Sequence, residues 1–290
     1  MDTNGYANPK ALVSTEWLNA HLNDPSIRVI EAVWGKDDYA INHIPGALPW
    51  EFVDDLGGTT SQPDLVNQNK LEELLSRSGI SQQTTVVVYS GISNLLATFT
   101  FWVLKLYGHS DVRLLDGGRE KWIQDGYPLS DEIEHVTPSS YQASPLNWKY
   151  RADKKIVLDA IGKGDIAILD ARPADQFRGE ESLGIARAGH IPGAVNIPAD
   201  MEKNEDGSFK RWTSLYTESD GTFRSKDELQ KTVDQEGITR DKEIITYCVR
   251  GGLSTQAWFA LTQLLGYPNV REYERSWEEW GSQIDLPIEG

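Results

Sequence analysis

One short stretch holds the residue types that nucleophilic chemistry requires. Cys248-Val249-Arg250-Gly251-Gly252-Leu253-Ser254 follows a β-rich apolar run at 244–247 and precedes an apolar helix pattern that stops near Gly266 and Pro268. Glycines let a tight loop turn several backbone N–H groups inward. The start of the next helix adds its positive end to the same spot. With Arg250 alongside, these effects favour a thiolate. Cys248 is therefore expected to be an ionised nucleophile, whereas a lone cysteine elsewhere is most simply a small buried apolar residue.

The elements that must position this loop occur twice along the chain. In the first half a strand at 27–32 leads to His43-Ile44-Pro45-Gly46-Ala47, and His190-Ile191-Pro192-Gly193-Ala194 recurs 147 positions later. Tyr89, Gly108 and Trp122 match Tyr247, Gly266 and Trp280, each 158 positions later. The extra residues fall near 202–225, where Asp206-Gly207-Ser208-Phe209-Lys210 resembles Asp220-Gly221-Thr222-Phe223-Arg224. Asp-Gly pairs predict turns in an elaborated surface loop. Strands alternating with helices predict an α/β fold, each repeat a parallel-type sheet with helices on both faces. The expected boundaries are residues 1–128, a linker at 129–152 rich in Ser, Pro and polar residues, and residues 153–290. Trp148 and Tyr150 are expected to dock the linker against a domain. Where the second half has Cys248, the first has Ser90-Gly91-Ile92-Ser93-Asn94. An unactivated serine is a poor nucleophile, so the N-terminal domain is expected to be catalytically inactive.

Composition narrows the partners. With 290 residues, 39% hydrophobic and 25% charged, the chain suits two globular domains. A net charge of −16 argues against nucleic acid or an anionic membrane as partner. One cysteine excludes an intrachain disulfide, and five scattered histidines without HExxH or CxxC argue against a metal or other cofactor. The N-terminus lacks the basic and apolar segments of a signal peptide, so a cytoplasmic setting is expected.

Several motifs in order resemble those of tandem-domain rhodaneses, the thiosulfate sulfurtransferases. They are His43-Ile44-Pro45-Gly46-Ala47, Leu115-Asp116-Gly117-Gly118-Arg119, Asp170-Ala171-Arg172, Gly189-His190-Ile191-Pro192-Gly193-Ala194, the Cys248 loop and Ser276-Trp277-Glu278-Glu279-Trp280. The resemblance implies two tandem rhodanese-like domains with the catalytic cysteine, Cys248, in the second. It implies substrate binding by Arg250, Gly251, Gly252, Leu253, Ser254, Arg172 and Ser276, although Arg172 also suits a structural ion pair. The sequence departs from the family pattern at Gln176, where a second arginine often stands. It departs again at Arg275, which replaces a glycine and would strain the turn if that position needed φ > 0. Arg178 and Arg187 are further candidate anion contacts, and Lys210 and Arg211 could guide anions.

The expected reaction moves the outer sulfur of thiosulfate onto Cys248, releases sulfite, and passes the sulfur to cyanide or another thiophile. Arg250 favours thiosulfate over 3-mercaptopyruvate, the alternative donor, because a planar cation suits a small sulfur oxyanion. A second class of function is a persulfide carrier that delivers sulfur to a protein acceptor. A phosphatase reading would require Cys-x5-Arg, but Ser254 stands at that position.

Overall fold

The computed structural model describes residues 5–57, 65–206 and 208–290. The chain divides into two compact units. One comprises Lys10–Asn147 with Ser219–Phe223; the other comprises the residues up to Pro9, Trp148–Glu218 and Arg224–Gly290.

In the first unit the order is β1 (Leu12–Val13), α1 (Thr15–His21), β2 (Ile27–Val33), α2 (Lys36–Ile41), β3 (Ala47–Glu51), α3 (Gln68–Arg77), β4 (Thr85–Tyr89), α4 (Leu95–Leu106), β5 (Val112–Leu115) and α5 (Gly118–Gln124). The strands pair in parallel in the order β1-β5-β4-β2-β3. The central strand, Thr-Val-Val-Val-Tyr, is β-branched and buried, as a strand covered on both faces must be. Helix α4 buries every residue except Lys105, which explains its nearly unbroken apolar sequence.

The second unit runs α6 (Lys154–Ala160), β6 (Ile166–Asp170), α7 (Ala174–Phe177), β7 (Val195–Asn196), β8 (Ala199–Lys203), β9 (Phe209–Ser214), α8 (Lys226–Gln235), β10 (Glu243–Tyr247), α9 (Gly252–Phe259), β11 (Val270–Glu272) and α10 (Ser276–Trp280). Its main sheet is also parallel, ordered β11-β10-β6-β7. The extra residues near 202–225 form more than a loop: β8 and β9 pair as an antiparallel hairpin. The Asp220-Gly221 segment turns as its composition requires, with Asp220 Oδ1 accepting the Thr222 amide at 3.1 Å, and Asp206 Oδ1 accepts the Ser208 amide at 2.9 Å. Gly207 and the side chains of Lys210 and Arg211 lie outside the described residues.

The duplication is exact enough in register to explain its motifs. Glu31 lies opposite Tyr89 in the first sheet, and Asp170 opposite Tyr247 in the second. Each tyrosine hydroxyl accepts an isoleucine amide of the repeated turn, Ile44 at 3.0 Å and Ile191 at 3.2 Å. The Tyr89 hydroxyl also donates to its facing carboxylate, Glu31, at 2.7 Å. His43 and His190 stack on Tyr39 and Phe177 and bond those residues' carbonyls, so both hold the turn to the preceding helix. The segment expected to be a linker is divided between the units. Tyr141, buried and bonded to His109, fixes the part before Trp148, while Tyr150 meets Trp258 edge-on; Trp148 itself remains half-exposed. Among the described residues no helix is long and apolar enough to cross a membrane.

Candidate active site

Strand β10, flanked by β6 and β11, delivers Cys248 at its carboxyl end. The chain then turns through Gly251 at φ 86°, a left-handed conformation in which a side chain is strained. It enters α9 immediately at Gly252, earlier than the apolar pattern alone indicated. This turn brings donors onto the sulfur. The Gly251 amide donates to Cys248 Sγ at 3.1 Å, and the amides of Arg250 and Ser254 and the Ser254 hydroxyl also face it. The backbone of Cys248 is held from α10: its N–H donates to Ser276 Oγ at 3.0 Å, and its carbonyl accepts the Trp277 amide at 3.0 Å.

The thiol does not behave as the loop alone predicts. Cys248 is 1% exposed, and burial, the largest cause, pushes its pKa up. The Ser254 hydroxyl and the loop amides pull the other way. The expectation of a depressed thiol pKa is thus corrected: desolvation outweighs the anion cradle. A Cβ placed on Gly252 would meet nothing within 4 Å, so the loop is uncovered at that point.

The other expected residues occupy different positions. Arg250 is 47% exposed, and its Nε donates to Glu278 at 3.0 Å. Leu253 and Ser254 are buried in the first turn of α9. Arg172 is 1% exposed; it bonds both oxygens of Asp170 and the Gly189 carbonyl and lies 4.4 Å over the Trp277 ring. Its expected substrate contact is corrected to the structural pairing, because a buried guanidinium needs its own carboxylate and acceptors. Ser276 takes the Cys248 amide and donates to Tyr273 O at 2.9 Å, so its hydroxyl anchors the cysteine's backbone. The turn strain anticipated at Arg275 falls instead on Ser276: Arg275 has φ −67°, and Ser276 has φ 53°. Gln176 is buried with Oε1 unpartnered. Arg178 pairs with Glu180 on the surface, and Arg187 bonds the carbonyls of Trp280, at the end of α10, and Leu286.

The first unit is an internal comparison. Ser90 Oγ accepts the Ala97 amide at 3.2 Å, and Ser90 N–H donates to Asn94 Oδ1, so this loop is closed on itself. The counterpart of the Arg172–Asp170 pair is also present, but its arginine comes from another segment. Arg119, at the position of Trp277, bonds Glu31 at 2.6 Å and the Asn42 carbonyl.

Two residues of the site were not singled out from the sequence. Glu278 stands within the Ser276–Trp280 motif, and Glu272 lies outside every motif. Glu272 is fully buried, its two oxygens meeting Ser254 Oγ and Thr246 Oγ1, each at 2.5 Å. The available signal was the repeat: Leu114 stands 158 positions before Glu272.

Comparison with known proteins agrees with this architecture. The family model described as the rhodanese-like domain matches residues 14–125 and 153–283. The chain is 39% identical to "Sulfur carrier protein TtuD" of Thermus thermophilus, across 98% of each chain. It is 38% identical to a Saccharopolyspora erythraea protein named "Putative thiosulfate sulfurtransferase", covering 97% of this chain and 96% of that one. Among solved structures, the anaerobic ergothioneine biosynthesis enzyme from Chlorobium limicola superposes with a TM-score of 0.85 at 24% identity. That match covers 98% of this chain and 71% of the other, a likeness of fold.

Proposed function

The chain belongs to the rhodanese-like family of sulfurtransferases, and from that membership we propose that Cys248 carries sulfur between thiosulfate and a thiophile. Cys248 loses its proton to solvent once, before the first cycle, and its thiolate attacks the outer sulfur of thiosulfate; the S–S bond of the donor breaks, and its electron pair leaves with sulfite. Cys248 is left as an anionic persulfide. Cyanide or a thiolate then attacks the outer sulfur, releasing thiocyanate or a new persulfide and restoring the Cys248 thiolate. Each half-reaction conserves charge, so the site needs donors for a sulfur anion more than it needs an acid.

The observation that carries this reading is the Gly251 amide donated to Sγ at 3.1 Å, with the Arg250 and Ser254 amides turned to the same atom. Such preorganised donors stabilise an anion in a desolvated site much more than they would in water. Arg250, half-exposed beside them, supports an oxyanion donor, and hence thiosulfate above 3-mercaptopyruvate. Gly251, Gly252, Leu253 and Ser254 form the cradle. Ser276 keeps its backbone in place, and Arg172 braces the sheet end. The first unit, with Ser90 turned onto the Ala97 amide, is a structural partner without turnover of its own.

The name of the Thermus thermophilus relative favours a second reading of the acceptor, in which the persulfide is handed to a protein. Thiocyanate formation from thiosulfate and from 3-mercaptopyruvate, with Cys248→Ser as blank, tests the donor. Thiosulfate is expected to be the better substrate, and a clear preference for mercaptopyruvate would overturn that assignment. Slow turnover with small thiophiles, despite complete sulfur loading, would identify the carrier.

A further inference from the structure

The carboxyl of Glu272 has no role in the reaction described above, yet it lies one side chain from the sulfur. It is wholly buried on β11, and its two oxygens meet Ser254 Oγ and Thr246 Oγ1, each at 2.5 Å. Ser254 in turn lies beside Cys248 Sγ, with its hydroxyl also 3.3 Å from the Gly251 carbonyl. Among the described residues no cation pairs with this acid. Glu274 raises its pKa further, and the neighbouring Arg151 is bound to Glu274. Fully buried and without a cation partner, the carboxyl is held as the neutral acid, and burial pushes it well above the usual carboxylate range against the two hydroxyls.

The duplicated half shows that the fold does not require these polar groups. At the positions of Thr246, Ser254 and Glu272, 158 residues earlier, stand Val88, Leu96 and Leu114. All three are buried, and Val88 faces Leu114 in the same register as Thr246 faces Glu272. An apolar trio fills this space beside Ser90, and a polar trio fills it beside Cys248.

Resting on the sulfurtransferase reading of Cys248, we propose that Glu272 is a positioning residue: as a neutral acid it donates to Ser254 Oγ and so turns the Ser254 hydroxyl onto the sulfur. A hydroxyl has one proton. Facing a carboxylate, Ser254 directs that proton to Glu272; facing a carboxylic acid, it accepts from Glu272, and its own proton is left to the Gly251 carbonyl at 3.3 Å or the Cys248 thiolate or persulfide, of which the anion is the stronger acceptor. Thr246 donates to the other carboxyl oxygen in both cases and fixes the rotamer. No atom moves between residues in the reaction; the acid sets the direction of one hydrogen bond.

The test is the rate of persulfide formation from thiosulfate, followed by the mass gain of one sulfur. Glu272→Leu, which installs the residue of the sister half, should slow loading by about tenfold or more, the loss expected of one hydrogen bond to a charged sulfur. Ser254→Ala should slow it similarly, and the double variant should be no slower than Ser254→Ala, because Glu272 acts through Ser254. Glu272→Gln, which keeps a neutral donor, should load within about twofold of wild type, a rescue that a merely structural role would not produce. Wild-type loading speed in Glu272→Leu, or additive losses in the double variant, would overturn the proposal. If Glu272→Leu does not fold, the remaining pair decides: slow Ser254→Ala with fast Glu272→Gln supports it, and equal rates in the two overturn it. Failure of the wild-type protein to gain sulfur would instead refute the reading of Cys248 on which this rests.

Discussion

Removing the carboxylate that holds Arg250 should strengthen the grip on thiosulfate. Arg250 Nε donates to Glu278 Oε1 at 3.0 Å, so the cation meant for the donor anion is already paired. Binding the anion requires Arg250 to leave Glu278 or to share itself with two negative groups. The guanidinium is half in water, and a pair of that kind contributes about 0.2–1 kcal/mol after screening. Glu278→Gln keeps the shape and lifts that competition, which corresponds to a thiosulfate KM about 1.5- to 5-fold lower with kcat unchanged. Arg250→Gln should act oppositely and more strongly. Losing a hydrogen bond between charged groups costs about 1.5–3 kcal/mol, or about 10- to 150-fold in kcat/KM for thiosulfate. Steady-state thiocyanate production across thiosulfate concentrations measures both, and the gain from Glu278→Gln should shrink at high salt. A KM that does not fall in Glu278→Gln, together with an unchanged kcat/KM in Arg250→Gln, would refute Arg250 as the anion contact.

Other outcomes follow from the same geometry. Arg172→Met leaves Asp170 buried without its partner and should lower stability by about 3–5 kcal/mol in urea unfolding. Sulfur loading per folded molecule should persist in that variant. Ser276→Ala removes the acceptor of the Cys248 amide; a bond of about 1 kcal/mol predicts a several-fold slower loading rate with thiosulfate KM little changed. Burial, with Asp220 adding to it, pushes the Asp116 carboxyl from 3.8 up to about 7. A carboxyl raised by folding binds its proton more tightly in the native state, so stability should fall as pH rises from about 4 to about 7. Asp116→Asn should remove that slope and add up to ~4 kcal/mol at neutral pH and above. Urea titrations across that range would show it, and an unchanged slope would contradict it.

The parts of the molecule written in repeated local patterns were legible before any coordinates. The matched tyrosines and the His-Ile-Pro-Gly-Ala turns fix two parallel sheets in equivalent register, because each turn hangs on the tyrosine hydroxyl of the central strand. Cys248 at the end of β10, ahead of Gly251 and the helix, was equally plain. What escaped depends on contacts between distant segments. Glu272 sits in the run Glu272-Tyr273-Glu274-Arg275, which looks like charged surface until β11 pairs with β10 and α9 packs over both. That same burial reverses the shift foreseen for the thiol, since loop amides can be inferred locally and desolvation cannot. Arg119 supplies in one half what Arg172 supplies in the other, from a different segment, and only the fold reveals the exchange.

Sulfur stored on Cys248 is the claim everything else serves, and intact-protein mass spectrometry tests it most directly. After thiosulfate treatment and desalting, the wild-type protein should gain the mass of one sulfur atom, mapped to the Cys248 peptide, and lose it on addition of cyanide with one equivalent of thiocyanate. An unmodified Cys248 peptide, or thiocyanate produced at the wild-type rate by Cys248→Ser, would contradict the account.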